Sequence, residues 1–227
     1  MTYKFDFSFL AERWPAFLEG AWLTIQLTVV SIALGFVLGT LCAVLRVYGG
    51  GVVRRVIGGY VEMIRNTPLL VQIFLVYFGL ASLGLKLSAE LSAIIALVIN
   101  VGAYTTEIMR AGIEATGKTQ LEAADCLGLS RVQTILHIVL LPAMERVYPA
   151  LSSQFVLLML ASSVTSQISA EELTAAAGVI QSDTYRSFEV YAVVAVVYLA
   201  LSFLYRFGFW LIGRLLFVRR RKLGTGI

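Results

Sequence analysis

Apolar residues in this chain gather into long runs, and polar residues gather between them. The first run covers roughly residues 21–45, the second 68–85 and the third 91–109. The fourth begins after Pro149 and reaches about residue 166, and the fifth covers 188–217. A helix needs about 20 mostly apolar residues to cross a bilayer, so the pattern predicts about five spans. Thr67 and Pro68 are expected to be the N-cap and first helical residue of the second. Gly49, Gly50 and Gly51 interrupt the helix after the first, and the rest of 46–66 is expected to lie along the inner surface before turning in. The longest polar stretch is 110–146. In it, Thr119 and Glu122 have capping-box spacing, Gly128 suits a left-handed helix end, and Ser130 and Gln133 repeat the box. Pro142 limits or kinks the second of these helices as the chain re-enters the membrane. This predicts two short capped helices.

Composition strengthens the reading. Of 227 residues, 59% are hydrophobic and 14% charged, against about 45–50% and about 25% in soluble domains. The chain is therefore expected to be an all-α membrane protein. The net charge of +4 comes from residues flanking the runs, with no basic face interleaved with aromatics, so nucleic acid is not an expected partner. Fourteen Lys and Arg fall on one side: residues 46, 54, 55, 65, 110, 118, 131, 146, 206, 214 and 219–222. Lys4, Arg13, Lys86 and Arg186, four in all, fall on the other. That imbalance puts the N-terminus outside, and the C-terminus and the 110–146 loop in the cytoplasm. The organisation expected is a short periplasmic segment at 1–17, a transmembrane domain at 18–217 and a basic cytoplasmic tail at 218–227. In the tail, residues 219–222 anchor the chain at the anionic inner leaflet. The first run is too long for a signal peptide and reads as a retained helix. Cys42 and Cys126 read as free thiols.

The candidate chemistry is not catalytic. His137 is the only histidine, and it lacks a recognisable nucleophile partner. Neither a metal-ligand cluster nor a phosphate-cradling glycine loop is evident, so neither metal nor ATP is expected on this chain. Asn100, Tyr104 and Glu107 share one face of the third span, at i, i+4 and i+7. Polar groups at that depth either line a wet pathway or bond between helices. Glu107, nearer the cytoplasmic end, has Arg110 or Arg65 as alternative partners. Gln154, Ser162, Ser163 and Gln167 in the fourth span are candidates for the same pathway.

Glu122-Ala123-Ala124, followed by Gly128, Ile138 and Leu141-Pro142, resembles the EAA signature of ABC importer permeases. The stretch from Arg65-Asn-Thr-Pro through Tyr77-Phe-Gly79 resembles the second-helix motif of the polar amino acid uptake branch. Ala103-Tyr104, Glu107, Arg110-Ala-Gly-Ile113, Pro149-Ala-Leu, Gln154-Phe155 and Glu172-Leu173 continue the likeness across about 18–217. The resemblance implies a type I (MetI-like) five-helix fold in a bacterial inner membrane. It also implies a second permease subunit, identical or not, and a cytoplasmic ABC ATPase that binds ATP and Mg. A periplasmic or lipid-anchored binding protein would deliver a polar amino acid. Glu122, Ala123, Ala124 and Gly128 would then carry ATPase coupling. Two local alternatives stand beside this: Glu122 caps its own helix toward Thr119, and Gly128 simply ends it. Family members often carry a Lys-Asp or Lys-Asn pair where Leu160-Ala161 stands here, before Ser162-Ser163. That departure removes charge from the pathway and fits a heterodimer.

Overall fold

The computed structural model describes residues 4–217, and every regular element among them is a helix. In chain order they are α1 (Phe9–Tyr48), α2 (Gly51–Arg65), α3 (Leu69–Ser82), α4 (Ala89–Glu114), α5 (Lys118–Cys126), α6 (Arg131–Ile168), α7 (Leu173–Thr184) and α8 (Ser187–Leu216). Helices α1, α4, α6 and α8 are each long and apolar enough to cross a membrane. The pair α2–α3, bent by 110° between its halves, passes the same test when taken together, as a broken span or a re-entrant loop. Four spans, or five with the bent pair, match the five apolar runs. The expected tail anchor at 219–222 lies outside the described residues.

Helices α1 and α4 form the spine of the bundle. Small residues let them approach: a Cβ added at Gly39 would stand 2.5 Å from Thr105 Cβ and 2.6 Å from the Gly102 carbonyl. Without a hydrophobic drive inside lipid, this backbone proximity and its dispersion contacts supply the association. Phe17, Leu97, Met109, Met159, Leu173 and Val190 close the core where α1, α4, α6, α7 and α8 meet.

Several local expectations need correction. The α2–α3 elbow does not use Thr67 as a cap. Pro68, extended at ψ 140°, occupies the cap position and α3 starts at Leu69. The Thr67 hydroxyl turns back to the Met63 carbonyl at 2.9 Å. The fourth span does not begin after Pro149. Helix α6 runs unbroken from Arg131, and Pro149 sits inside it. Continuation past Pro142 has a visible cause. Residues Thr134–Leu140 form a π-helical stretch immediately before it. A wider turn accommodates the proline ring and its missing N–H, which would otherwise break an α-helix. The second expected short helix is therefore the first turn of a span. Helix α7, between α6 and α8, has no counterpart in the five-run pattern.

The contacts divide the charged residues by side. At one end, Arg46 meets Glu107, Arg131 reaches the Tyr48 carbonyl and Arg146 reaches the Gly112 carbonyl. At the other, Arg186 pairs with Asp6 at 3.0 Å and Arg13 with Asp183 at 3.1 Å. The same division follows from counting basic residues along the sequence.

Candidate functional site

The segment between α4 and α6 carries the short helix α5. Helix α5 begins at Lys118 behind Gly117, with no side-chain cap, so the Thr119–Glu122 capping box does not form. Gly117 takes the N-cap position two residues before Thr119, so Thr119 already lies inside the helix. Glu122 is exposed, and no bond to another described residue engages its carboxylate. Its alternative employment as a cap is thereby removed. The far end of α5 closes as expected. Gly128 lies at φ +69°, its N–H donates to the Asp125 carbonyl at 3.0 Å, and the Leu129 N–H donates to the Ala124 carbonyl at 3.1 Å. These are the two bonds of a Schellman motif. Ser130 and Gln133 then form a reciprocal capping box that starts α6.

The two faces of α5 differ. Ala124 is buried and Leu121 half-buried toward the bundle, while Glu122 and Ala123 face outward. Beside them Leu127 is 78% and Val132 66% exposed, with Leu136 also open. Bulky apolar side chains left open on a polar segment are candidates for a docking patch. Leu127 and Val132 carry no signal in the sequence, because single leucines and valines stand out only once the fold leaves them exposed.

The third-span residues do not act as one set. Asn100 is buried and donates to Gln72 Oε1 at 2.9 Å. Gln72 Nε2 in turn donates to the carbonyls of Ile64 at 2.7 Å and Thr67 at 3.0 Å. This chain satisfies carbonyls that the elbow leaves without helical partners. Tyr104 lies under the Arg65 guanidinium, 5.4 Å from ring centre. Glu107 accepts from Arg46 at 2.6 Å and from Arg110, not from Arg65.

In α6, Ser162 is fully buried and its hydroxyl returns to the Met159 carbonyl at 2.7 Å. Ser163 is half-buried and bonds the Leu160 carbonyl at 2.9 Å. One turn further, Ser166 and Gln167 open onto a groove of about 560 Å³, whose wall includes Ser169, Glu171 and Thr174. Helix α7, which floors this groove, is held by a residue outside the expected site. Glu172 is fully buried, yet its Oε1 accepts the N–H groups of Thr174 and Ala175 at 2.9 and 3.0 Å. Tyr198 donates to its Oε2 at 2.8 Å, and the Thr24 hydroxyl approaches that oxygen at 3.5 Å. Burial nevertheless holds the Glu172 carboxyl above the usual carboxylate range. The Glu172-Leu173 likeness was the available signal.

Comparison with known proteins matches residues 35–216 to the family described as binding-protein-dependent transport system inner membrane component. A probable glutamine ABC transporter permease protein from Bacillus subtilis (strain 168) is 36% identical over 195 residues, 86% of this chain and 90% of the relative. The glutamine transport system permease protein of Escherichia coli (strain K12) is 34% identical over 206 residues, 90% and 94% of the two chains. The octopine transport system permease protein of Rhizobium meliloti is 37% identical over 227 residues, 96% and 93%. Among solved structures, an amino acid ABC transporter with histidines superposes at TM-score 0.84 with 33% identity, over 93% of this chain and 99% of that one. The MetNI methionine ABC transporter, inward facing, superposes at TM-score 0.77 with 19% identity, over 93% and 99%, a likeness of fold.

Proposed function

The chain belongs to the family of binding-protein-dependent transport system inner membrane components, and from that premise we propose that it is the permease subunit of an ATP-driven importer of a polar amino acid. The observation that carries the reading is the projection at 117–133. It is capped at Ser130, ended by a Schellman turn, and presents Glu122, Ala123, Leu127 and Val132 outward. Such a patch fits a cleft on a cytoplasmic ATPase, which would bind the ATP and Mg. Closure of paired ATPases would press on α5 and rock the bundle between inward- and outward-facing states. Arg131 on Tyr48 ties the projection to α1, and Arg146 on Gly112 ties α6 to α4, so the movement would reach both.

The pathway on this reading passes Ser163, Ser166 and Gln167, with Tyr104 and Glu107 nearer the cytoplasm, and a second permease subunit completes it. The uncharged Leu160-Ala161 step favours a non-identical partner. A periplasmic or lipid-anchored binding protein would deliver substrate to the outer face, in a bacterial inner membrane.

The test is co-purification with the ATPase followed by uptake of labelled amino acids in proteoliposomes. Leu127→Glu combined with Val132→Glu should abolish ATPase capture and leave the permease folded. Capture at the wild-type level by that double variant would refute the docking role.

A further inference from the structure

The α2 helix has a second character that import does not explain. Val52, Val56 and Met63 are 67%, 67% and 62% exposed and fall on one helical face, at i, i+4 and i+11. The opposite face buries Ile57 and Val61 against α4. A short helix with an open apolar stripe and neighbouring arginines lies in the plane where headgroups meet acyl chains. At the start of this helix a cavity of about 350 Å³ opens between the ends of α1 and α4, lined by Arg46, Val47, Arg54, Arg110 and Glu114.

The charges around this cavity do not cancel. Glu107 is taken up by Arg46 and Arg110, and Glu114 by Arg110 at 2.5 Å. Two carboxylates thus offset two of the three arginines. Arg54 faces only neutral acceptors among the described residues: its Nε donates to the Arg46 carbonyl at 3.2 Å and its Nη2 to the Val47 carbonyl at 3.4 Å. One guanidinium charge remains uncompensated, where the apolar helices α1 and α4 end, in a concave space with further arginine donors on its walls.

We infer that this cavity binds the headgroup phosphate of an anionic phospholipid, with Arg54 as the principal contact. Guanidinium groups match phosphate oxygens in geometry and charge. Basic pockets between helices at the inner surface suit such headgroups. The α2 stripe supplies the adjoining apolar surface for the acyl chains, which a soluble phosphate would leave unused. The choice of the inner leaflet rests on the sidedness used in the importer reading.

Native mass spectrometry of the detergent-released complex, purified from nanodiscs of equal phosphatidylglycerol and phosphatidylethanolamine, reads the site without any transport step. A failed import reading and a failed lipid site are therefore separable. The wild type should retain phosphatidylglycerol preferentially. Arg54→Gln should lower that preference about fivefold, with Arg54→Lys between the two. Arg55→Gln, whose side chain bonds Gly51 on the same helix and does not line the cavity, should leave it unchanged. Equal losses in the Arg54 and Arg55 variants would reduce the effect to general attraction by a basic helix and overturn the site. So would unchanged retention in Arg54→Gln, or displacement of the lipid by inorganic phosphate, which would make this a free-phosphate site.

Discussion

Replacing Gly128 separates a backbone role from a contact role, because the structure isolates one cost. The residue sits at φ +69°, and a Cβ built on it meets nothing within 4 Å. Any penalty is therefore conformational, with no steric contribution from neighbours. An L-residue in the left-handed region costs about 1–2 kcal/mol, and a β-branched one lies at the upper end because it is a true outlier there. Asparagine tolerates the region and should lose least. If the Schellman turn opens, the Gly128 and Leu129 N–H bonds are lost together and Leu127 leaves the patch. A loss of about 1–2 kcal/mol reduces the population of the aimed projection about 5–30-fold. The series Gly128→Asn, Gly128→Ala and Gly128→Val should therefore fall in that order. The assay is substrate-stimulated ATPase activity of the reconstituted complex, set beside ATPase affinity. A valine variant that couples normally would refute the reasoning. So would an order set by size, with asparagine worse than alanine, since that would make Gly128 a contact.

The bundle supports three more predictions. Gly39→Leu should destabilise the protein by the overpacking cost of about 1–3 kcal/mol and so lower its thermal midpoint in detergent, whereas Gly58→Ala, where a Cβ meets nothing within 4 Å, should not lower the midpoint. Asn100→Leu and Gln72→Leu should each destabilise by about 1–3 kcal/mol through unpaired buried groups, and in a double-mutant cycle the pair should cost much less than the sum; strict additivity would deny the network. Burial raises the Glu172 carboxyl above its unfolded value, so the native state holds a proton that the unfolded chain releases. That stabilising contribution is present below the ordinary carboxylate range and fades as pH rises toward the native value. Chemical denaturation across mildly acidic pH should show the decline, and Glu172→Gln should flatten it.

How far the sequence was legible depends on the range of the interactions that decide each element. The apolar spans and the division of charge between their two ends were readable because hydrophobic length and flanking charge act locally, and Ser130–Gln133 and Gly128 were readable for the same reason. The Thr67 cap failed because Pro68 takes the extended conformation itself and leaves the Thr67 hydroxyl free to bond backward. Pro142 and Pro149 looked like boundaries, but the π-helical stretch before the first absorbs it and the helix continues through both. Helix α7 was invisible because its alanine-rich run offers weak periodicity and its cap is a buried glutamate. Tyr198 and Thr24, distant in sequence, satisfy the second oxygen, which the N–H groups of α7 do not reach. Within the candidate site, Asn100 and Glu107 share a helix face, yet one turns to Gln72 and the other to Arg46; side-chain partners decide that division, and periodicity is silent on it.

The continuity of α6 gives the molecule a mechanical advantage. One helix carries Arg131, beside the exposed patch, and Ser163, one turn before the groove residues Ser166 and Gln167. At about 1.5 Å per residue these points stand about 48 Å apart. A tilt on the order of 10° at the base would swing the far end by about 8 Å, comparable to the width of a small solute. The π-helical stretch and Pro142 lie near the short end of this lever. A softer turn there would act as the fulcrum, letting a small push at the base become a large displacement of the serines without bending the arm that carries them.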